Sequence, residues 1–236
     1  MNKIIIIIPT YNEEENIFSL YSKIKKNIKT DILYVDDNSK DNTQKIIKNI
    51  KLKDKSINYI FRPGKKGIGS AHKDGLKWCY KKKYNIVITM DGDGTHDPKH
   101  LNKMVKQLKS SDIVISNRFF KKDSLKDWPF SRIVLTKIRH LLISYLLDLK
   151  FDASGGLRCI NAKKIKLKDL LSRSNDYSYF WENLFFIYKK NYKISEISIN
   201  LPYRKQGSSK MKLSDIINAL IYLIKFSTKY KFLKIK

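Results

Sequence analysis

The sequence predicts an α/β domain on a mostly parallel sheet, and three observations carry that prediction. Short apolar runs recur through the first half of the chain, segments of helical periodicity separate them, and polar motifs follow the runs where strand carboxyl ends would lie. In such sheets ligands collect at those ends. With 236 residues, 42% of them hydrophobic, the chain is long enough for one large domain with a proper core.

Each element has its own reason. Ile4 to Ile8 reads as the first core strand, because the apolar run is too short for a signal peptide and ends at Pro9. Further strands are expected at Ile32 to Val35, Ile57 to Phe61, Ile86 to Met90 and Ile113 to Ser116. Helices fit between them at Glu14 to Ile28, Asn42 to Lys51, Ile68 to Lys81 and Lys99 to Lys109, with Asp41 and Pro98 as start signals. From about Phe119 this rhythm stops. A loop through Asp127-Trp128-Pro129 leads to a helix near Ile133 to Leu149, and a glycine-rich turn follows at Asp152 to Arg158. A helix near Tyr179 to Lys190 and a strand near Ile194 to Ile199 complete the pattern.

Composition narrows the function classes. The net charge is +27, which favours polyanionic partners such as nucleic acid, anionic lipid headgroups or phosphorylated substrates. Cys79 and Cys159 are far apart and lack ligand spacing, so neither a disulfide framework nor a zinc site has support, and a reducing interior fits. No stretch reaches the roughly 18 apolar residues of a membrane span. Ile133 to Leu149 and Ile216 to Ile224 come near, and both carry basic residues within or after them, which suits a membrane surface as well as a core.

The most informative motif is Met90-Asp-Gly-Asp-Gly-Thr-His-Asp-Pro98. If the strand stays extended, Asp91 and Asp93 project to the same side of its carboxyl end. Two carboxylates roughly 4 Å apart would repel by about 4 kcal/mol at an effective dielectric of about 20, and a hard divalent cation would reverse that. In isolation a turn and helix cap would explain the same residues. Gly67-Ile-Gly69-Ser-Ala-His72 resembles a dinucleotide fingerprint only superficially, since it follows the third strand and places His72 at the third glycine. His96 and His100 flank Pro98 and need not share a helical face, so they make a poor metal pair.

Seven motifs in order resemble glycosyltransferase family 2, and within it the polyprenyl-phosphate mannosyltransferases. They are Pro9-Thr-Tyr-Asn-Glu13, Val35-Asp-Asp-Asn-Ser-Lys-Asp-Asn-Thr43, Gly67-Ile-Gly-Ser-Ala71, the Asp91-x-Asp93 segment, Ser116-Asn-Arg118, Ser154-Gly-Gly-Leu-Arg158 and Arg204-x-x-Gly-Ser-Ser-Lys210. The resemblance implies a nucleotide-sugar-binding GT-A fold over residues 1–212, with a donor half to about residue 118 and an acceptor half beyond it. A basic helix over 213–236 would touch a membrane surface.

Further roles follow from the resemblance alone. Pro9, Tyr11, Glu13, Val35, Asp37, Lys66, Ala71 and Gly92 would surround the nucleotide-sugar donor. Asp91 and Asp93 would hold a divalent cation, Mg2+ or Mn2+, against its diphosphate, and Arg204 and Lys210 would close over that diphosphate. Arg118, Arg132 and Thr136 would grip the phosphate of a polyprenyl-phosphate acceptor. Gly156 and Leu157 depart from a more usual small-polar and Phe pair, and Thr95 stands where some relatives place a Gln or Ser near the metal. The expected activity is inverting hexose transfer, mannose from GDP-mannose first, at the cytoplasmic face of a membrane. A UDP-sugar donor and a saccharide acceptor are the alternatives within the class. A specific nucleic-acid partner is not expected, because no aromatic-interleaved RNA motif or zinc pattern accompanies the charge.

Overall fold

The computed structural model describes residues 3–204, 206 and 213–232. Its elements run β1 (Ile4–Thr10), α1 (Glu14–Asn27), β2 (Asp31–Asp36), α2 (Thr43–Lys53), β3 (Ile57–Phe61), α3 (Ile68–Lys81) and β4 (Ile86–Thr89). A 3-10 turn at Pro98–His100 opens α4 (Leu101–Gln107), followed by β5 (Ile113–Asn117) and α5 (Phe130–Leu147). Then come β6 (Arg158–Asn161), α6 (Leu167–Leu170), α7 (Tyr179–Lys189), β7 (Ile194–Ser198) and α8 (Leu213–Phe232). The strands form one sheet in the order β3-β2-β1-β4-β6-β5-β7, parallel throughout except for β6, which runs antiparallel to both β4 and β5.

The apolar runs become buried strands because both faces of the sheet are covered. Along β1, Ile5 and Ile7 enter the core beneath α3 and α7, while Ile6 and Ile8 enter the core beneath α1, α2 and α4. This two-residue alternation between two apolar layers is why the run is continuously hydrophobic rather than alternating with polar residues. The expected strand positions hold to within two residues at either end. Two elements were not anticipated, the short helix α6 and the strand β6: the glycine-rich turn at 152–157 feeds β6, which inserts between β4 and β5. Its register pairs Thr89 with Arg158, and Thr89 Oγ1 donates to the Gly156 carbonyl at 2.6 Å. The end of β4 and the later loop are therefore stitched together.

Helices α5 and α8 touch each other at one edge of the fold. The inner face of α8 packs Tyr222, Leu223, Phe226 and Tyr230 onto α7, with Phe226 ring centroids 5.1 Å from Trp181 and 5.2 Å from Phe185. Tyr222 also hydrogen-bonds the buried Glu182. The outer face presents Ile217, Leu220, Ile221 and Ile224, and α5 presents Phe130, Leu135, Ile138, Leu141 and Tyr145, all exposed. Among the described residues no helix is long and apolar enough to cross a membrane.

Candidate active site

A continuous cleft of about 720 Å3 opens where the carboxyl ends of β1, β2 and β4 face α5, the loop before α7, and α8. At one end it is lined by Pro9, Tyr11, Glu13, Asp37 and Ala71. The Lys65 ammonium lies 4.1 Å from the centroid of the Tyr11 ring, a cation–π contact. Asp37 accepts the backbone N–H groups of Lys66 at 2.8 Å and Gly67 at 3.0 Å and pairs with buried Arg62 at 3.2 Å, so it shapes the loop that leads into α3. Gly67 adopts φ +91° there, and a Cβ would sit 2.6 Å from the Asn175 carbonyl oxygen. Two expected donor residues stand back from the cleft. Val35 is fully buried in the core, and Lys66 is exposed with its backbone serving Asp37. Asp36 is also buried and accepts hydrogen bonds from Thr10, Ser39 and Gln44.

At the centre, β4 ends at Thr89, so Asp91 and Asp93 meet the cleft from a turn rather than from an extended strand. Asp93 Oδ1 accepts from the Thr95 backbone N–H at 3.1 Å and from Thr95 Oγ1 at 2.7 Å, while Oδ2 faces Arg204 Nη2 at 2.7 Å. Burial pushes the Asp93 carboxyl up, but the Arg204 and Thr95 donors outweigh it and hold it below the ordinary value. Asp91 goes the other way, raised chiefly by burial. Its Oδ1 is buried with no hydrogen-bond partner, and a Cβ on Gly156 would lie 2.5 Å from that oxygen. Buried His96 accepts the Asp91 backbone N–H at Nδ1, 3.2 Å away.

An unpartnered carboxylate oxygen beside a second carboxylate that already faces a cation suits a divalent ion with hard oxygen ligands. Among the described residues no third His, Cys, Asp or Glu joins the pair. Thr95 spends its hydroxyl on Asp93.

Towards α5 the lining becomes cationic. Arg118 donates from its backbone N and from Nε to Asp152 Oδ2 at 3.1 and 2.8 Å, and from Nη2 to Asp152 Oδ1 and Ser154 Oγ, each at 3.1 Å. Arg132 stacks between aromatic rings, 5.1 Å from Trp128 and 5.5 Å from Tyr203, and donates to the Tyr203 hydroxyl at 3.3 Å. Thr136, buried one turn along α5, lines the same cleft, as does Gly92 beside the carboxylates. Lys210 lies outside the described residues.

Comparison with known proteins gives this geometry a family. A model of glycosyl transferase family 2 matches residues 5–167. The chain belongs to glycosyltransferase family 2. Among curated relatives, the polyprenol monophosphomannose synthase of Mycolicibacterium smegmatis is 28% identical, over 92% of this chain and 83% of its own. The undecaprenyl-phosphate mannosyltransferase of Micrococcus luteus is 29% identical, over 89% and 87%. A UDP-N-acetylglucosamine dolichyl-phosphate N-acetylglucosaminyltransferase of Methanococcus voltae is 28% identical, over 88% of each chain. In fold, the chain is similar to glucosyl-3-phosphoglycerate synthase of Mycobacterium tuberculosis, solved with Mn2+, UDP and phosphoglyceric acid. The TM-score is 0.65 at 17% identity, over 94% of this chain and 78% of the other.

Residues given no site role from the sequence also shape the cleft of this family 2 hexosyltransferase. His96 fixes the turn that carries Asp91, and Asp152 clamps Arg118 from 34 residues away. Arg158 is buried and donates to the carbonyls of Ala153, Gly155 and Phe180 and to Asn183 Oδ1, pinning the loop before β6 to α7. Asp152 and Arg158 bracket a motif that sequence could flag, but their partners are visible only in three dimensions.

Proposed function

We propose that the enzyme transfers a hexose, mannose from GDP-mannose in the first instance, to the phosphate of a polyprenyl phosphate, with inversion at the anomeric carbon. The observation that carries this reading is the order of chemistries along one cleft. Carboxylates and the Tyr11–Lys65 pair lie at one end, arginines in the middle, and apolar side chains such as Ile138, Leu142, Ile216 and Leu220 where the cleft passes between α5 and α8. A nucleoside diphosphate, a phosphate and a prenyl chain ask for that order. Relatives named for mannosyl transfer to polyprenyl phosphates support it. The relative named for UDP-N-acetylglucosamine keeps a UDP-sugar donor as the second reading.

In this reaction an acceptor phosphate oxygen forms a bond to the anomeric carbon. The bond from that carbon to the diphosphate oxygen breaks, and its electron pair leaves with the nucleoside diphosphate. A phosphate monoester is already anionic at neutral pH, so no side chain has to remove a proton. Arg118, fixed by Asp152, and Arg132, fixed by its aromatic neighbours, would orient the acceptor with Thr136. Asp91 and Asp93 would hold a divalent cation, which when bound neutralises charge on the departing diphosphate. Arg204, beside Asp93 and 3.7 Å from Glu13, would turn to the same diphosphate, with Lys210 assigned there by resemblance.

The exposed apolar faces of α5 and α8 would rest on the cytoplasmic face of a membrane. From Pro202 to Lys236 there are nine Lys or Arg and one acidic residue, each basic residue worth about 1 kcal/mol near an anionic leaflet. The deciding experiment offers labelled GDP-mannose, UDP-glucose and UDP-N-acetylglucosamine with a short-chain prenyl phosphate and Mg2+ or Mn2+, then extracts the lipid phase. Label from GDP-mannose in that phase is the expected result. Label appearing only in water-soluble saccharide would sink the acceptor assignment.

A further inference from the structure

Arg139 follows Thr136 by three residues and Arg132 by seven on α5, so all three share a face and line the cleft. Its Nη2 donates to Ser154 Oγ at 3.2 Å, the same hydroxyl that receives Arg118 Nη2 at 3.1 Å. Its Nε is buried and has no hydrogen-bond partner. No carboxylate of the described residues forms an ion pair with Arg139, whereas Arg118 has Asp152 to itself at 2.8 Å. Two guanidinium groups thus converge on one serine hydroxyl with one carboxylate between them. Burial, and then the nearby Arg118, lowers the Arg139 pKa to about 10, which leaves it charged at neutral pH. Arg139 is partly buried in the cleft wall with its Nε fully covered, and a guanidinium so placed without a counter-ion is costly unless an anion completes its surroundings.

Resting on the acceptor reading above, we propose that Arg139 is a further anion-binding residue of this enzyme, forming with Arg118 and Ser154 the seat for the acceptor's phosphate. The charge balance gives the seat its selectivity. An anionic phosphate supplies the missing negative charge and enough oxygen acceptors for both guanidinium groups, whereas a neutral sugar hydroxyl supplies neither. Arg139 also lies beside Leu142 and Ile143 of the same helix, which line the cleft as well, so a prenyl chain attached to that phosphate would meet apolar surface at once.

The test compares full-length wild type with Arg139→Gln and Arg139→Lys. Thermal unfolding is followed without ligand, with inorganic phosphate, with a short-chain prenyl phosphate and with GDP, and transfer kinetics are measured where turnover occurs. Wild type is expected to be stabilised by both phosphates, and more by the prenyl phosphate if the anion is lipid-borne. Arg139→Gln should unfold at the same temperature as wild type or higher without ligand, lose the gain from both phosphates and keep the gain from GDP. Its acceptor KM should rise by about tenfold or more while its donor KM stays unchanged, a loss of the size expected for one charge-assisted hydrogen bond. Arg139→Lys should recover part of the effect. The proposal is overturned if wild type gains nothing from either phosphate, or if Arg139→Gln keeps the full gain. It is equally overturned if Arg139→Gln loses stability without ligand, the mark of a purely structural residue. Failure of the acceptor reading looks different: wild type would respond to phosphate through Arg139 yet transfer no sugar to the prenyl phosphate.

Discussion

The centre of the cleft and its α5 side carry opposite charge deficits. At the centre the carboxyl oxygen Asp91 Oδ1 is buried without a partner, and Asp93 draws Arg204 across from a different part of the chain. Towards α5 it is guanidinium that is in excess, with Asp152 balancing Arg118 and leaving Arg139 uncompensated. Charges withdrawn from water are ordinarily paired, so on the proposed reading each imbalance is where a ligand of the opposite sign would complete the site. A cation is wanted on one side and an anion on the other, which is the charge order of a metal-bound diphosphate facing an acceptor phosphate.

The strongest way to break this comparison is to neutralise the donor side. Asp91→Asn and Asp93→Asn are each expected to lower turnover by about a hundredfold or more, a loss of the size seen when one group that stabilises transition-state charge is removed. Chelation of wild type should do the same. Activity that survives a chelator would show that the carboxylates serve something other than a cation.

On the acceptor side, Arg118→Ala and Arg132→Ala should differ. Removing Arg118 strands the buried Asp152, so a stability loss of about 3–5 kcal/mol is expected together with lost acceptor use. Arg132 stacks on Trp128 and Tyr203 at the cleft, whereas it is Arg118 that balances the buried Asp152, so loss of Arg132 should raise acceptor KM by about tenfold at a smaller stability cost. Equal stability losses in a denaturant titration would remove the distinction.

Acid titration sharpens the same point. Burial pushes Asp152 up, but Arg118 overrides it and holds the carboxyl below its ordinary value. A carboxylate depressed in the folded state stabilises fully above its unfolded pKa of about 3.9, and that contribution is lost as pH falls through the folded value. Asp152→Asn should therefore flatten the acid limb of the stability profile below about pH 4. An unchanged limb would mean that other carboxylates dominate it.

The smallest expected effect concerns the membrane. Exposed Leu141 and Ile217 belong to the outer faces of α5 and α8, so Leu141→Glu and Ile217→Glu should each weaken sedimentation with anionic vesicles by several-fold without touching the fold, a fraction of the roughly 1.5–3 kcal/mol that full burial of an aliphatic side chain contributes, since a surface contact buries it only in part. Truncating α8 would be a poorer test, because its inner face covers Trp181 and Phe185. High salt should release much of the bound wild type, since surface attraction is screened over about 8 Å at physiological ionic strength.

Much of this was legible in the sequence for a plain reason. Parallel strands buried on both faces must be written as apolar runs such as Ile4 to Ile8, and site residues at their ends must be polar. β6 escaped because it is four residues long and begins with Arg158, whose charge is satisfied by carbonyls from two different segments, the loop before β6 and α7. The pairing of Asp91 with Asp93 was expected, but from strand alternation, where a turn does the work. Arg139 was visible only as an interruption in an apolar helix, since its significance lies in Ser154 and in the carboxylate that Asp152 gives to its neighbour.

β6 also has a consequence for how such an enzyme can diversify. Because Thr89 is paired with Arg158 and bonded to Gly156, the loop carrying Asp91 and the loop carrying Ser154 are anchored on adjacent strands. Adjacent strands sit about 4.8 Å apart, a spacing fixed by backbone hydrogen bonds rather than by side chains. On the proposed reading, the reach from leaving group to nucleophile would thus be set chiefly by the sheet rather than by side chains. New acceptors would have to be won on α5 and α8, where side chains can change size without altering that built-in ruler.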